Sequence, residues 1–278
     1  MMNYQAFVLD LDGTLLGDND RINQVNLNAI RQAIQLGYKV TLASGRPHSL
    51  MLSYAGELGI KEPLICCNGA YLYHPEKQQV IAESSFARDD LLVLLSSLEQ
   101  QGFFYTLYTS EGIFASRTSD HLADLELKTR RQDGDICLGI IADLAQLPVS
   151  AGRVYKALVT HHDHQSLDRL HAELSNHYSV DFSAPGKLDI TAKGVSKGVA
   201  LNLWLKNRGL QPEQVVAFGD GDNDISMFDS VGEPVAMENA SPSVKRKANL
   251  IVTDNNGCGI GQYLRMITLE SSAARHHV

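Results

Sequence analysis

Short apolar runs recur along this 278-residue chain, and between them lie stretches whose apolar residues fall three and four apart. Ala6 to Leu9 is wholly apolar, as expected of a strand covered on both faces. A polar turn follows through Asp18, Asn19 and Asp20. From Asn23 a helical pattern sets Leu27, Ile30 and Ile34 on one face and stops at Gly37. Tyr38 to Ala43 predicts a second strand and "PLICCNG" (63–69) a third. The helix between them opens at Pro47, a residue suited to a first turn, and closes near Gly59. Strands spaced by helices in this way imply parallel pairing with right-handed crossovers. "AYLY" and "QQVIAE" flank a polar turn and predict a hairpin.

Near Ser84 the rhythm changes. A helix from Arg88 to Gln101 leads into "FFYTLYTS" and "GIFAS", an alternating hairpin about Glu111-Gly112. A poorly patterned stretch runs to about Pro148. "RVYKALVT" then predicts a strand, "QSLDRLHAELSNH" a helix, and "YSVDFSA" and "KLDITA" two strands about Pro185-Gly186. From Ser196 the first rhythm returns. The helix "SKGVALNLWLKNRG" precedes the strand "VVAFGD", the helix "NDISMFDSVG" and the strand "PVAM". A helix from Val244 to Ala248, the strand "LIVT" and a helix after Gly261 complete the pattern. The simplest architecture is α/β: a doubly wound, parallel, Rossmann-like core sheet built from 1–83 and 188–278. An α+β unit, 84–187, is inserted between those halves.

Composition adds exclusions. The chain is 44% hydrophobic and 20% charged, ordinary for a globular protein. A net charge of -8 argues against a broad nucleic-acid surface. No apolar run approaches a membrane span, and no signal-peptide pattern opens the chain, so a cytoplasmic location is expected. Cys66, Cys67, Cys137 and Cys258 include no C-x-x-C pair, and read as reduced thiols.

Candidate chemistry sits where the strands end, the place at which open α/β sheets bind ligands. The first strand ends in Asp10-Leu11-Asp12, the second in Ser44-Gly45-Arg46 and the third in Asn68-Gly69. "VVAF" runs into Gly219-Asp220-Gly221-Asp222-Asn223-Asp224, and a helix just before it opens with Ser196-Lys197-Gly198. Two aspartates two residues apart, with no cation beside them in sequence, must be protonated, paired or bound to a cation. Asp10, Asp12 and Asp220 together would form an acidic pocket for Mg²⁺, which prefers oxygen ligands. Ser44 and Lys197 add a hydroxyl and a fixed positive charge. Such a set suits a phosphoryl group, whose transfer depends on positioning and charge neutralisation. An aspartate can itself attack phosphorus. Ser44 also reads as an N-cap, and Asp224 either caps its helix or stands near the metal. Asp222 reads as a solvated loop residue. "HHDH" (161–164) reads as a polar loop, and Tyr71, Tyr73, Phe103, Phe104, Tyr105 and Tyr108 as packing.

"DLDGT" (10–14), Ser44-Gly45-Arg46, Lys197 and "GDGDNDISM" (219–227) resemble, in content and order, the four motifs of the haloacid dehalogenase superfamily phosphatases. The long insertion between the second and third motifs resembles the C2 cap of the Cof-type subfamily. "CCNGAYLY", "VVAFGD" and "NDISM" look particularly like its pyridoxal-phosphate phosphatases. The resemblance implies that Asp10 is the nucleophile and a metal ligand. It implies that Asp12 binds Mg²⁺ through its backbone carbonyl and moves protons with its side chain. Ser44, Lys197 and Asn223, with the backbone at Leu11 and Gly45, would hold phosphate. Asp220 would be the second carboxylate on the metal, with Asp224 behind it or ligating too. Lys197, at a helix start, takes the lysine role in preference to Lys193. Asn68 and Arg46 are candidates to meet the leaving group. The implied substrates are small phosphorylated metabolites, pyridoxal 5′-phosphate and sugar phosphates among them. A sugar-phosphate phosphatase or phosphomutase of the same superfamily is the alternative. A receiver-like phosphoacceptor also carries an acidic pocket, a hydroxyl and a lysine, but the "DLDGT" turn and the large insertion count against it.

Overall fold

A computed structural model describes residues 4–131, 136–141 and 152–275. Five parallel strands form the central sheet: β1 (Ala6–Leu9), β2 (Lys39–Leu42), β12 (Val215–Gly219), β13 (Glu233–Met237) and β14 (Leu250–Val252). Their order is β14-β13-β12-β1-β2. β1 lies between β12 and β2, with Ala6 opposite both Val215 and Lys39. Its alternation splits two cores, because successive strand residues point to opposite faces. Phe7 and Leu9 pack with α1 (Gln24–Gln35) and α9 (Gly259–Arg275), through Leu27, Ile30, Ile260 and Leu264. Ala6 and Val8 pack on the other face against α6 (Lys197–Arg208), through Leu201, Trp204 and Leu205. Helices on both faces make the sheet doubly wound, as the run of buried apolar strands predicts. Asn23 caps α1, its side chain accepting the Val25 N–H at 2.8 Å, and Gly59 ends α2 (Leu52–Leu58) in the left-handed conformation.

The third strand departs from expectation. β3 (Leu64–Cys66) meets the central sheet through one isolated parallel bridge, Ala43 to Ile65, just past the end of β2. It pairs antiparallel with β4 (Tyr71–His74), which pairs with β5 (Gln79–Glu83). The predicted hairpin thus takes β3 into its own three-stranded sheet.

A six-stranded sheet is built from the middle of the chain, in the order β10-β11-β9-β6-β7-β8. Its strands are β6 (Phe104–Thr109), β7 (Ile113–Ala115), β8 (Leu138–Ile140), β9 (Val154–Thr160), β10 (Ser179–Ala184) and β11 (Lys187–Thr191). Leucines of α3 (Arg88–Gln100) and α5 (His164–Leu174) cover one face, against Leu107, Val159 and Ile190. β11 spans the expected junction at 187/188 and pairs with β9 through Thr191. The stretch read as poorly patterned contains α4 (Asp120–Arg131) and β8. Leu122, Leu125 and Thr129 form its narrow buried stripe, and the exposed Leu127 blurs the period. The remainder of that stretch, 132–135 and 142–151, lies outside the described residues. The expected helix "NDISMFDSVG" is shorter than predicted, a 3₁₀ turn at Asp222–Asp224 followed by α7 (Ile225–Phe228). α8 (Pro242–Lys247) then precedes β14. No helix among the described residues is long and apolar enough to cross a membrane, and the four cysteines are free thiols.

Candidate active site

The carboxyl ends of β1, β2 and β12 and the first turn of α6 converge. Asp10, 5% exposed, follows β1. Lys197 Nζ donates to Asp10 Oδ1 at 2.6 Å and to Asp224 Oδ1 at 2.6 Å. The cation missing beside these carboxylates in sequence is thus supplied across the fold. The compensating charge comes from a residue 187 positions away in sequence, which local reading cannot see. Burial drives the Asp10 carboxyl well above its ordinary range, with Lys197 pulling the other way. Burial opposes the charge on Lys197, but Asp10 and Asp224 raise its affinity for the proton above the ordinary value. Lys193 lies elsewhere, donating to the Ser175 carbonyl at 2.6 Å.

Asp224 is fully buried, and both its oxygens are engaged. Oδ2 accepts the N–H groups of Asp220 and Gly221 at 3.0 and 3.1 Å, while Oδ1 takes Lys197. It both shapes the loop after β12 and orients the lysine. Asp220 Oδ1 accepts the Thr14 hydroxyl at 2.7 Å. Burial and the neighbouring Asp224 push Asp220 up to about 7. Oxygens of Asp10, Asp220 and Asp224 lie within 4.8 Å of one another. A cluster of hard oxygens, two of them on carboxylates pushed up by burial and like charge, fits a divalent cation. The Asp12 side chain is outside this cluster.

Gly13 makes the cluster sterically feasible. Its φ is +78°, and a Cβ there would lie 2.3 Å from Asp220 Oδ2. The Gly13 carbonyl in turn accepts the Asn239 amide at 2.8 Å. Gly13→Ala is expected to cost about 1–2 kcal/mol from the left-handed backbone alone, and to displace Asp220 besides. Urea unfolding and Mg²⁺ titration of the variant measure the two effects; unchanged values would remove the glycine's role.

Asp12 faces Arg46. Nε donates to Asp12 Oδ2 at 2.8 Å and Nη2 to Asp12 Oδ1, with a further contact from Nη2 to Asp20 at 3.2 Å. The Asp12 side chain is 55% exposed, but it opens into a cavity of about 190 Å³. Enclosure there raises its carboxyl, Arg46 with Lys128 and Lys197 lowers it, and the net position is below the ordinary value. Arg46 thus meets the second aspartate directly, a partnership the sequence reading did not assign.

Of the phosphate-binding candidates, Ser44, Gly45 and Asn223 line the same cavity, while Leu11 and Lys197 are buried behind it. The Leu11 carbonyl accepts the N–H groups of Leu15 and Leu16 at 3.0 and 2.9 Å, curling the chain tightly after Asp10. Ser44 is buried, and its hydroxyl accepts the Arg46 N–H at 3.2 Å. Asn223 donates its amide to Asn68 Oδ1 at 3.0 Å. Asn68 sits in a 3₁₀ turn after β3 with φ +57°, and is buried. Asp222, exposed, accepts the Ser241 hydroxyl at 2.7 Å.

Sequence reading missed the far wall of the cavity. Lys156, Asp189, His121, Asp124, Lys128 and Lys187 line it from the six-stranded sheet and α4. Burial and the nearby Lys187 and Lys156 hold His121 down at about 4, so it is neutral at pH 7. The available signal was a charged residue inside each of two apolar strands, "VYKALV" and "LDIT". Tyr108 also lines the cavity, and its hydroxyl contacts His121 Nε2 at 3.0 Å. Arg117 lies apart from this cavity, over the Phe104 ring.

A family model described as haloacid dehalogenase-like hydrolase matches residues 7–264. The chain is 30% identical over 267 residues to pyridoxal phosphate phosphatase YbhA of Escherichia coli, covering 95% of this chain and 98% of that protein. It is 27% identical to phosphatase YwpJ of Bacillus subtilis, covering 94% and 99% respectively. The solved structure of a haloacid dehalogenase-like hydrolase from B. subtilis superposes with a TM-score of 0.85 at 26% identity, over 94% of this chain and 99% of that one.

Proposed function

This chain is a phosphatase belonging to the haloacid dehalogenase-like hydrolases, and on that premise we propose that it is a Mg²⁺-dependent phosphomonoesterase acting through an aspartyl-phosphate on Asp10. The observation that carries the reading is Lys197 bridging Asp10 and Asp224, with Asp10, Asp220, Ser44 and Asn223 together lining one cavity. Asp10 and Asp220, with the Asp12 carbonyl, would hold Mg²⁺, which would supply charge neutralisation for the phosphoryl oxygens. Lys197 orients Asp10 so that one carboxylate oxygen attacks phosphorus as the ester oxygen leaves. That oxygen takes its proton from Asp12. In the second half, Asp12 takes a proton from water, whose oxygen displaces phosphate and restores Asp10. Arg46 keeps Asp12 ionised at rest, the form this second half requires. The acid half requires a proton taken up on Asp12 before the ester oxygen leaves. Ser44, Asn223 and the backbone at Leu11 and Gly45 hold the phosphate.

The same reading divides the chain into a catalytic core and an inserted cap. Pairing of β11 with β9 through Thr191 supports a second junction after β11, with a cap at 84–191. The cap's inner face closes a cavity of about 190 Å³, room for a small metabolite. Likeness to a pyridoxal phosphate phosphatase across 95% of the chain supports pyridoxal 5′-phosphate as a substrate. Asp124, Lys128 and Lys187 on the cavity wall suit hydroxyl-bearing leaving groups as well, so sugar phosphates such as erythrose 4-phosphate belong to the same panel. The deciding measurement is kcat/KM across pyridoxal 5′-phosphate, erythrose 4-phosphate, hexose phosphates and p-nitrophenyl phosphate at fixed Mg²⁺. The expected result places pyridoxal 5′-phosphate at or near the top. A value at the level of unrelated phosphates rejects that substrate while leaving the phosphatase in place.

A further inference from the structure

We propose that Lys156 and Asp189, both carried by the inserted sheet, are positioning residues that hold the phosphate-binding loop Ser44-Gly45 in its working form. The inference rests on the phosphatase reading above. Lys156 and Asp189 are 4% and 2% exposed. They lie on adjacent strands, two places apart in register, since Lys156 pairs with Thr191 and Leu158 with Asp189. Alternation along β9 and β11 turns both away from the cap helices, which pack on Ala157, Val159, Leu188 and Ile190, and towards the strand ends of the core.

Their partners are the loop and its neighbours. Lys156 Nζ donates to the Gly45 carbonyl at 2.7 Å and to Asp189 Oδ2 at 3.1 Å, and lies 4.4 Å from the centre of the Tyr108 ring. Two hydrogen bonds and a ring face engage the ammonium group, so the lysine orients protein groups. The Gly45 carbonyl and the Arg46 N–H belong to one planar peptide unit. That N–H donates to Ser44 Oγ at 3.2 Å. Fixing the carbonyl therefore fixes the donor that aims the serine hydroxyl. Asp189 acts on the other side. Its Oδ2 accepts the Asn68 amide at 2.8 Å. Asn68 Oδ1 accepts from Asn223 at 3.0 Å, and the Asn68 N–H donates to the Ser44 carbonyl at 3.0 Å. One buried ion pair on the cap thus reaches Ser44, Gly45 and Asn223. Gly45 permits the approach, because a Cβ there would lie 3.1 Å from Asn68 Oδ1 and 3.2 Å from Asp189 Oδ2.

The test is a double replacement, Lys156→Met with Asp189→Leu. A buried ion pair exchanged as a unit for apolar residues leaves no orphaned charge and commonly preserves the fold. With the thermal midpoint close to wild type, competitive inhibition by inorganic phosphate is expected to weaken about tenfold, the scale of a lost charge-assisted hydrogen bond. kcat/KM for p-nitrophenyl phosphate is expected to fall at least as far. Wild-type phosphate affinity in the folded double variant overturns the inference. If that variant does not fold, Lys156→Gln/Asp189→Asn is compared with Lys156→Met/Asp189→Asn. These two differ only in the donor to the Gly45 carbonyl. The glutamine form is expected to bind phosphate more tightly, and equal affinity overturns the inference. Absence of turnover in wild type on every phosphate ester would instead reject the phosphatase mechanism, so the two failures are distinct.

Discussion

Asp10→Asn is expected to abolish turnover while leaving the metal-free protein at least as stable as wild type. The amide keeps the size of the side chain and its acceptor for Lys197, but it cannot attack phosphorus. Removal of a covalent nucleophile typically costs on the order of 10⁴–10⁶-fold in kcat. The stability half follows from the crowding around the site. Burial, Asp224 and Asp220 all disfavour the ionised form of Asp10, and Lys197 favours it. A carboxyl raised in the folded state destabilises that state once the pH exceeds its unfolded value, because folding must then bind a proton or bury a strained charge. Asparagine removes that cost at neutral pH, and Lys197 keeps Asp224 at 2.6 Å. Steady-state hydrolysis of p-nitrophenyl phosphate and thermal melts in EDTA check the two halves. Rapid quench with ³²P-labelled substrate should show a labelled wild-type enzyme and an unlabelled variant. Wild-type turnover by Asp10→Asn would end the covalent mechanism; a large fall in its melting point would mean that the Asp10–Lys197 pair is chiefly structural.

The parts of the site legible in sequence share one property: each is signalled locally. Asp10, Ser44 and Asp220 follow apolar runs that can only be buried strands, and glycines beside them mark where backbones must come close. Gly13 shows why, since a side chain there would collide with Asp220. The doubly wound sheet was legible for the same reason, its strands being apolar on both faces. What local pattern does not hold is the pairing of charges across the chain. Lys197 with Asp10, and Arg46 with Asp12, bridge 187 and 34 positions. The far wall of the cavity was harder still. Lys156 and Asp189 are charged residues in strands with one apolar face, and nothing local distinguishes a charge facing solvent from one facing a second layer. β3 escaped its expected sheet because three residues pair more extensively with the hairpin beside them than with β2.

Chelation by EDTA is expected to abolish hydrolysis and Mg²⁺ to restore it, with an apparent Mg²⁺ affinity that rises with pH. The dependence comes from Asp220. Its ordinary value is 3.8, and burial with Asp224 beside it moves it to about 7 in the metal-free protein. Below that pH a proton occupies the carboxylate that the cation needs, and binding must expel it. One proton released per ion weakens apparent affinity by about tenfold for each unit of pH below the folded value. The same shift sets the sign for stability. Between 3.8 and about 7 the folded chain binds the Asp220 proton and the unfolded chain does not. The metal-free protein therefore loses stability from this group as pH rises through that window, and regains none above it. Mg²⁺ offsets the loss by stabilising the ionised carboxylate in the folded state alone. The rise in melting temperature on adding Mg²⁺ should accordingly be larger at pH 8 than at pH 5.5. Calorimetric titration in buffers of different ionisation enthalpy counts the proton directly. Full hydrolysis in metal-free buffer would remove the metal from the mechanism. An equal Mg²⁺-induced shift at both pH values would mean that Asp220 is not the carboxylate the ion meets.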